Sequence, residues 1–200
     1  MEISAATAYY YRKLYEVAAT INSGVTANEV LSSIVESLTK AMKAKGCSIM
    51  LLTPAKKSLI HTISYGLSEA FIEAGPRSVE TSIPEAASGK GQVAVIHDVA
   101  AEKQRFEHAE RLLSEGIVSV LAVPMRLKGD MIGQVRVYTA EPRHFNDEDI
   151  YFVQAISNLG AIALDNARLY DSFRRAHEYL TSDFISFRWG RGGTMEGRRP

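Results

Sequence analysis

Residues 116–138 decide the fold, and they read GIVSVLAVPMRLKGDMIGQVRVY. Two runs rich in β-branched and apolar residues flank a short polar turn at residues 128–130. The turn contains Gly129, and glycine can adopt the positive φ that a tight hairpin loop needs, so the stretch predicts a β-hairpin. The first run, residues 117–123, is almost entirely apolar, as expected of a strand that is covered on both faces.

The second run, residues 131–138, alternates between the two faces of a strand. Val135 and Val137 share one parity and suit packing against helices. The other parity carries the larger polar side chains, which are Gln134, Arg136 and Tyr138. Polar side chains in the middle of a central strand predict that this second face borders a ligand pocket.

The composition restricts the classes of function. Of the 200 residues, 46% are hydrophobic, and 23 basic residues balance 23 acidic ones. Balanced charge favours neither nucleic acid nor an anionic membrane as a partner. No apolar run approaches the roughly 20 residues of a membrane span, and the N-terminus lacks a signal-peptide pattern. We therefore expect a cytoplasmic protein with one domain and appendages.

The remaining elements follow from apolar periodicity and from capping residues. The sequence at residues 26–29 fits a capping box at the start of a helix. Gly46 stands where a left-handed residue would end that helix. Asn146 is a preferred N-cap ahead of three carboxylates. The predicted elements, in chain order, are helices over 7–21 and 26–45, strands over 47–52 and 58–65, one or two helical turns over 68–74, a short helix over 84–88, a strand over 93–96, a helix over 106–115, the hairpin, and a long helix from 146 toward 180.

This order predicts an α+β protein, an α/β sandwich with one antiparallel sheet of about five to six strands. Six segments in the same order carry a family resemblance: 46–52, 64–67, 88–90, 96–99, 116–138 and 145–149. Through them, the chain resembles the GAF domain family over about residues 24–170. The resemblance implies a GAF/PAS-like sheet with a helical dimerisation layer on one face. It also implies a ligand-pocket segment with short helices on the other face, and a role in sensing small molecules.

The resemblance divides the chain into three parts. Residues 1–23 are expected to be a dimerisation helix, 24–172 the GAF-like domain, and 173–200 a helix extension with a flexible tail rich in arginine and glycine. Tyr10, Leu14, Val17 and Ile21 form an apolar stripe that predicts a homodimer through the N-terminal helix and the C-terminal part of the last helix. The module would act through an effector protein or through an effector region beyond this chain.

The candidate ligand-binding residues centre on Arg136, which is expected to point into a cavity between the sheet and residues 75–106. A guanidinium there would select an anionic or carbonyl-bearing ligand. His61 is placed on the strand parity of Leu59, Ile63 and Tyr65. The full candidate set is Arg136, Gln134, Ser119, Tyr65, Phe106 and His61. The alternative for Arg136 is an ion pair with a loop carboxylate, either Glu80 or Glu85.

Other functions are weaker interpretations of the same sequence. The cyclic-nucleotide-binding members of the family carry an Asn-Lys pair that the hairpin lacks, and no histidine adjoins Cys47 as in many bilin-binding members. The single cysteine excludes an intrachain disulfide cycle, and no catalytic motif or metal-ligand spacing is present, so neither an enzyme nor a metal site is predicted. Haem binding through His61 and a ligand-free dimerisation module remain alternatives, and the identity of any cofactor stays open.

The histidines and the cysteine also have ordinary structural interpretations. Cys47 has apolar neighbours and is expected to be a buried, inert thiol rather than a chromophore anchor or a redox sensor. His97 ends a strand beside Asp98, which is expected to form a turn. His108 and His144 are expected to face solvent.

Overall fold

The computed structural model describes residues 5–21, 26–73, 75, 77–78, 92–105 and 108–189. Helices stand at both ends of the described chain, and the strands lie between them mostly in consecutive pairs, as expected for an α+β fold. The elements are α1 (Ala5–Ile21), α2 (Ala27–Ala41), β1 (Gly46–Leu52), β2 (Ser58–Tyr65), α3 (Glu69–Ile72), β3 (Arg77–Ser78), β4 (Ala94–Ile96), a 3₁₀ turn (Lys103–Arg105), α4 (Ala109–Ser114), β5 (Ser119–Leu127), β6 (Asp130–Thr139) and α5 (Asp147–Trp189).

The hairpin forms the centre of a six-stranded antiparallel sheet with the order β3-β2-β1-β6-β5-β4. The turn residues Lys128 and Gly129 both have positive φ, as the two-residue turns that match the twist of β-strands require. β6 pairs with β5 on one side and with β1 on the other, so its backbone is enclosed by neighbours. The central hairpin predicted from residues 116–138 is confirmed.

One face of the sheet packs against the helices and forms the main core. The alternating residues Val135 and Val137 lie on this face, together with Leu121 and Val123 of β5. Buried side chains of α2 and of the first part of α5 complete the cluster, among them Leu31, Ile34, Leu38, Phe152, Val153 and Ile156. Burial of so many aliphatic side chains supplies the main driving force for this layer.

Helix boundaries follow the capping chemistry expected from the sequence. Thr26 caps α2, and the backbone and side-chain bonds of the capping box with Glu29 are both present. At the far end, Lys43 has a φ of 48°, and the backbone N–H of Ala44 donates to the Thr39 carbonyl. The left-handed residue that ends α2 is therefore Lys43 rather than Gly46, which begins β1 instead.

Two elements differ from the sequence-based expectations, and a third expected element cannot be compared. α4 begins at Ala109, later than expected, and β3 is an additional two-residue strand at the sheet edge. The helix expected over 84–88 lies outside the described residues.

A hydrogen-bonded clamp fixes α1 to the start of α5. The Tyr10 hydroxyl donates to Asp149 Oδ1 at 2.7 Å, and the Tyr10 ring stacks on Phe152 with a centroid separation of 4.1 Å. Arg143 reaches the same carboxylate at 3.2 Å and donates to the carbonyl oxygen of Met42 at the end of α2. The clamp therefore joins α1, α2 and α5 through one nearly buried carboxylate.

The apolar stripe of α1 contacts the protein's own helical layer. Val17 is buried within the protomer, and Tyr10, Leu14 and Ile21 are partly buried against the main core. An amphipathic pattern indicates that a face is covered, and here the cover is the protein's own helical layer. The side chains that α1 exposes are others, notably Tyr11 and Tyr15.

The chain divides into two compact units, 1–164 and 165–200. The first contains the sheet and its layers. The described part of the second is the helical stretch up to Trp189, on which Leu169, Tyr170 and Phe173 are exposed. Among the described helices, none has the length and hydrophobicity that crossing a lipid bilayer would require.

Candidate functional site

The second face of the sheet carries polar residues at its centre. Register places Ser48 of β1 and Ala122 of β5 on either side of Arg136, and directly paired residues in an antiparallel sheet point to the same side. Met50 and Pro124 flank Gln134 in the same way. We call this surface the Arg136 face.

Arg136 and Gln134 form a buried pair on this face. Arg136 is 1% exposed and Gln134 is 0% exposed. The Gln134 Oε1 atom accepts two hydrogen bonds, from Arg136 Nε at 3.0 Å and from Nη2 at 2.8 Å. Two bonds along one edge of the guanidinium fix its plane, so the charge is held in one orientation rather than on a mobile side chain.

A second polar pair lies beside the first. The Ser48 hydroxyl and the Tyr138 hydroxyl are 3.0 Å apart, and both residues are buried. Sequence reasoning did not select Ser48, although its register opposite Arg136 would have placed it here once β1 and β6 were aligned. The Arg136 face therefore presents a guanidinium, an amide and two hydroxyl groups on adjacent strands.

Aromatic rings border these polar groups. The Phe71 ring of α3 lies edge-on to Tyr138 at 5.7 Å between centroids, and the His61 ring lies edge-on to Phe71 at 5.8 Å. Phe71 and Tyr138 belong to a second apolar cluster that also includes Ile96, Leu112 and Val120. Apolar walls around a few convergent polar groups are the usual composition of a small-molecule site.

The structure places His61 on the Arg136 face, but for a reason the sequence did not reveal. The β1–β2 pairing shifts between Ile49 and Met50, so Ile63 pairs with Ile49 whereas His61 pairs with Met50. The irregularity falls at Thr62 and reverses the alternation. The expected shared parity of His61 with Ile63 and Tyr65 is therefore wrong.

Two other candidates lie on the opposite side of the sheet from Arg136. Ser119 pairs with Thr139, and the next pair along the strands is Val120 with Tyr138. Successive pairs point to opposite faces, so the Ser119 side chain points to the helical side. Tyr65 pairs with Cys47, whose side chain belongs to the main core. The expectation that Ser119 and Tyr65 line a cavity together with Arg136 is corrected by this register.

The remaining candidates fall outside the residues that the structure describes. These are Phe106 and the two alternative partners of Arg136, Glu80 and Glu85. Of the segment 75–106 that was expected to border the cavity, the structure describes residues 75, 77–78 and 92–105. On either side of this segment, α3 and α4 are joined by two hydrogen bonds. Ser68 N–H donates to Glu115 at 2.9 Å, and Arg111 donates to the Ala70 carbonyl at 2.9 Å.

Comparison with known proteins assigns the family. The family model for the GAF domain matches residues 24–165, which is most of the chain. The chain belongs to the GAF domain family. The expected resemblance and the α+β fold class are thus confirmed.

Known structures resemble this GAF domain over nearly their full length. The GAF domain of a phosphoenolpyruvate-protein phosphotransferase from Coxiella burnetii is 18% identical with a TM-score of 0.73, covering 84% of this chain and 99% of that one. Free methionine-R-sulfoxide reductase from Neisseria meningitidis, solved with its substrate, is 16% identical with a TM-score of 0.71, covering 85% and 96%. At these identities, the likeness shows the fold alone.

One curated relative is a sensor. The methyl sulfide methyltransferase-associated sensor of Methanosarcina acetivorans is 22% identical over 168 residues, which is 82% of this chain. The chain spans only 17% of the length of that relative. The similarity therefore concerns one segment of a much longer protein.

Cys47 of the GAF domain is fully buried in the main core on β1, on the face away from Arg136. Burial raises the pKa of its thiol well above the ordinary range, which disfavours the reactive thiolate. We expect no reaction of the native protein with a disulfide reagent such as Ellman's reagent, and reaction of one thiol per chain after unfolding in urea. Cys47→Ala should cost about 1 kcal/mol of unfolding free energy through lost packing. Rapid labelling of the folded protein would contradict this assignment.

Proposed function

We propose that this GAF domain is a regulatory module that senses a small anionic or carbonyl-bearing molecule at the Arg136 face. The observation that carries the proposal is the buried, oriented guanidinium of Arg136 at the centre of the sheet. A charge removed from water is a weak source of stability, and an apolar side chain of similar volume often stabilises a core as well or better. We propose that the charge is kept in the core for ligand recognition.

The groups around Arg136 suit a ligand with a planar, negatively charged end. A guanidinium recognises carboxylates and phosphates through paired N–H donors. The hydroxyl groups of Ser48 and Tyr138 add neutral partners on the same face, and the rings of His61 and Phe71 supply an aromatic border. We infer a ligand that combines an acidic group with an apolar or aromatic body.

Access to Arg136 requires movement. With 1% of its surface exposed, Arg136 is covered, so a ligand reaches it only by displacing part of that cover. β6 carries Arg136 and continues through residues 140–146 into α5. Arg143 of this connecting segment contacts the Asp149 carboxylate of α5. We propose that displacement of the cover is transmitted along this route to α5 and then to an effector.

The proposed role agrees with the sensor relative, in which a segment similar to this chain occurs within a longer protein. The effector is a partner protein or a further region. The alternative is a ligand-free dimerisation module, which would use the same fold without ligand-dependent change.

A thermal-shift series tests the ligand class. We expect compounds with a carboxylate or phosphate group to raise the melting temperature, because binding to the folded state alone stabilises it. Each acid is paired with its amide or methyl ester, which retains the apolar body but loses the charge. Equal shifts for acid and ester would show that the site recognises the carbonyl group rather than the negative charge. No shift from any compound in the series would favour the ligand-free alternative.

We also propose a homodimer formed by the exposed side of the helical layer. Tyr11, Tyr15 and Tyr151 are 62%, 75% and 69% exposed. A groove of about 370 Å³ lies beside them, lined by Thr7, Tyr10, Tyr11, Leu14, Glu148, Tyr151, Phe152 and Ala155. Exposed aromatic side chains next to a groove are typical of protein interfaces.

Sedimentation equilibrium checks this assembly. We expect about twice the 22.0 kDa mass of one chain at micromolar concentration. Tyr15→Asp and Tyr151→Asp should each weaken association at least about tenfold. Ile60→Ser alters an exposed apolar residue of β2 and serves as the control. A single species of one-chain mass for the unmodified protein would contradict the dimer.

A further inference from the structure

We propose that His97 and His144 form a binding site for a transition-metal cation of the Zn²⁺ class. The two imidazole rings are 4.5 Å apart between centroids with a tilt of 39°. His97 follows β4 and His144 precedes α5, so residues far apart in sequence supply the pair. Both side chains are exposed, which leaves solvent access to the rings.

The protonation pattern of His97 suits a metal ligand. Its Nδ1 atom lies 3.4 Å from the carbonyl oxygen of Arg143. A carbonyl only accepts, so in this contact Nδ1 carries the proton and Nε2 presents its lone pair. Metal-binding histidines commonly donate their other ring N–H to a backbone carbonyl in this way, which fixes both the tautomer and the ring orientation.

One buried hydroxyl holds the two histidine segments together. Ser119 Oγ donates to the carbonyl of His97 at 2.6 Å and accepts from the backbone N–H of Arg143 at 2.9 Å. Arg143 is itself fixed by its bonds to Met42 and Asp149. Ser119, expected to contact a ligand over the sheet, instead positions the backbones that carry both imidazoles.

The ligand chemistry selects the class of cation. Imidazole nitrogen suits Zn²⁺, Cu²⁺ and Ni²⁺, whereas Ca²⁺ and Mg²⁺ require oxygen ligands. Within the described ranges, no cluster of three or more His, Cys, Asp and Glu side chains is arranged to hold a metal. Two protein ligands with solvent in the other positions therefore give an open site of lower affinity than a closed structural zinc site. A bound cation would brace the segment after β4 against the start of α5.

Calorimetric titration of the tag-free full chain with Zn²⁺ alone tests the site. We expect one Zn²⁺ per chain, with the affinity lowered at least about tenfold in His97→Gln and in His144→Gln. His177→Gln removes an exposed histidine of the long helix and should bind like the unmodified chain. Because both substitutions are at the surface, we expect each variant to fold. Circular dichroism and thermal melting without metal check this.

Nuclear magnetic resonance gives a second measurement. Zn²⁺ should shift the imidazole resonances of His97 and His144 together and leave those of His177 unchanged. Absence of Zn²⁺ binding at millimolar concentration would overturn the proposal. So would unchanged affinity in the double variant His97→Gln/His144→Gln.

Discussion

Arg136→Ala is expected to abolish ligand binding and to lower the free energy of unfolding by about 3 kcal/mol. The substitution removes a large buried side chain and two donors to the buried Gln134 Oε1 atom. Truncating one partner of a buried charged contact costs binding about 2 kcal/mol or more, which is a loss of about 30-fold or greater. Urea unfolding and the thermal-shift series measure the two effects.

Gln134→Glu separates loss of binding from loss of folding. The carboxylate keeps an acceptor for Arg136 and adds a negative charge beside the guanidinium, so we expect a folded protein that no longer binds acids. Arg126→Ala is the matched control, because Arg126 is an exposed arginine of the same hairpin that donates to the Gly129 carbonyl. It should change stability by less than about 1 kcal/mol. Acid binding retained by Gln134→Glu would show that Arg136 has only a structural role.

Asp149→Ala is expected to lower the free energy of unfolding by about 3 kcal/mol and to loosen α1. The Asp149 carboxylate accepts from Tyr10 and from Arg143, and its backbone N–H donates to the Asn146 cap at 2.8 Å. Removing the carboxylate leaves a partly buried arginine without its acidic partner, and this type of loss is strongly destabilising. Tyr10→Phe, which removes only the hydroxyl, should cost about 1.5 kcal/mol.

A double-mutant cycle and a change of pH test the same clamp. The cycle of Tyr10→Phe and Asp149→Ala should give a coupling of about 1 kcal/mol. Burial, and then the hydrogen bond to Asp149, raise the pKa of Tyr10 from 10.0 to about 12. The tyrosine therefore stabilises the folded state fully below pH 10, and this contribution is lost as the pH rises toward 12. The stability difference between the unmodified chain and Tyr10→Phe should narrow from pH 9 to pH 11.5, and a constant difference would contradict the clamp.

Local chemistry made much of the fold predictable. The Lys128-Gly129 turn, the Thr26 capping box and the Asn146 cap each depend on residues within one turn, and each forms as expected. The alternation along β6 correctly separated Val135 and Val137 from the polar residues. Helix caps and hairpin turns can be predicted because a few neighbouring residues determine them, largely independently of tertiary contacts.

The site was predicted less well because it depends on register. The pairing irregularity at Thr62 places His61 on the Arg136 face. Such an irregularity cannot be predicted from the alternation of residues along one strand. The nearly continuous apolar run of β5 does not show which face of the strand Ser119 lies on. Its pairing with Thr139 places its side chain on the helical side. The apolar stripe of α1 showed that one face is covered, but whether by a second chain or by the protein's own helices requires the tertiary structure.

Native mass spectrometry of the full chain, purified from its source host, tests ligand recognition by Arg136 when the unmodified protein and Gln134→Glu are measured side by side. We expect the unmodified protein to carry one small acidic molecule per chain, and the variant, equally folded and produced in the same way, to carry none. An unmodified chain with only its own mass, or the same bound molecule on both proteins, would contradict ligand recognition at the Arg136 face.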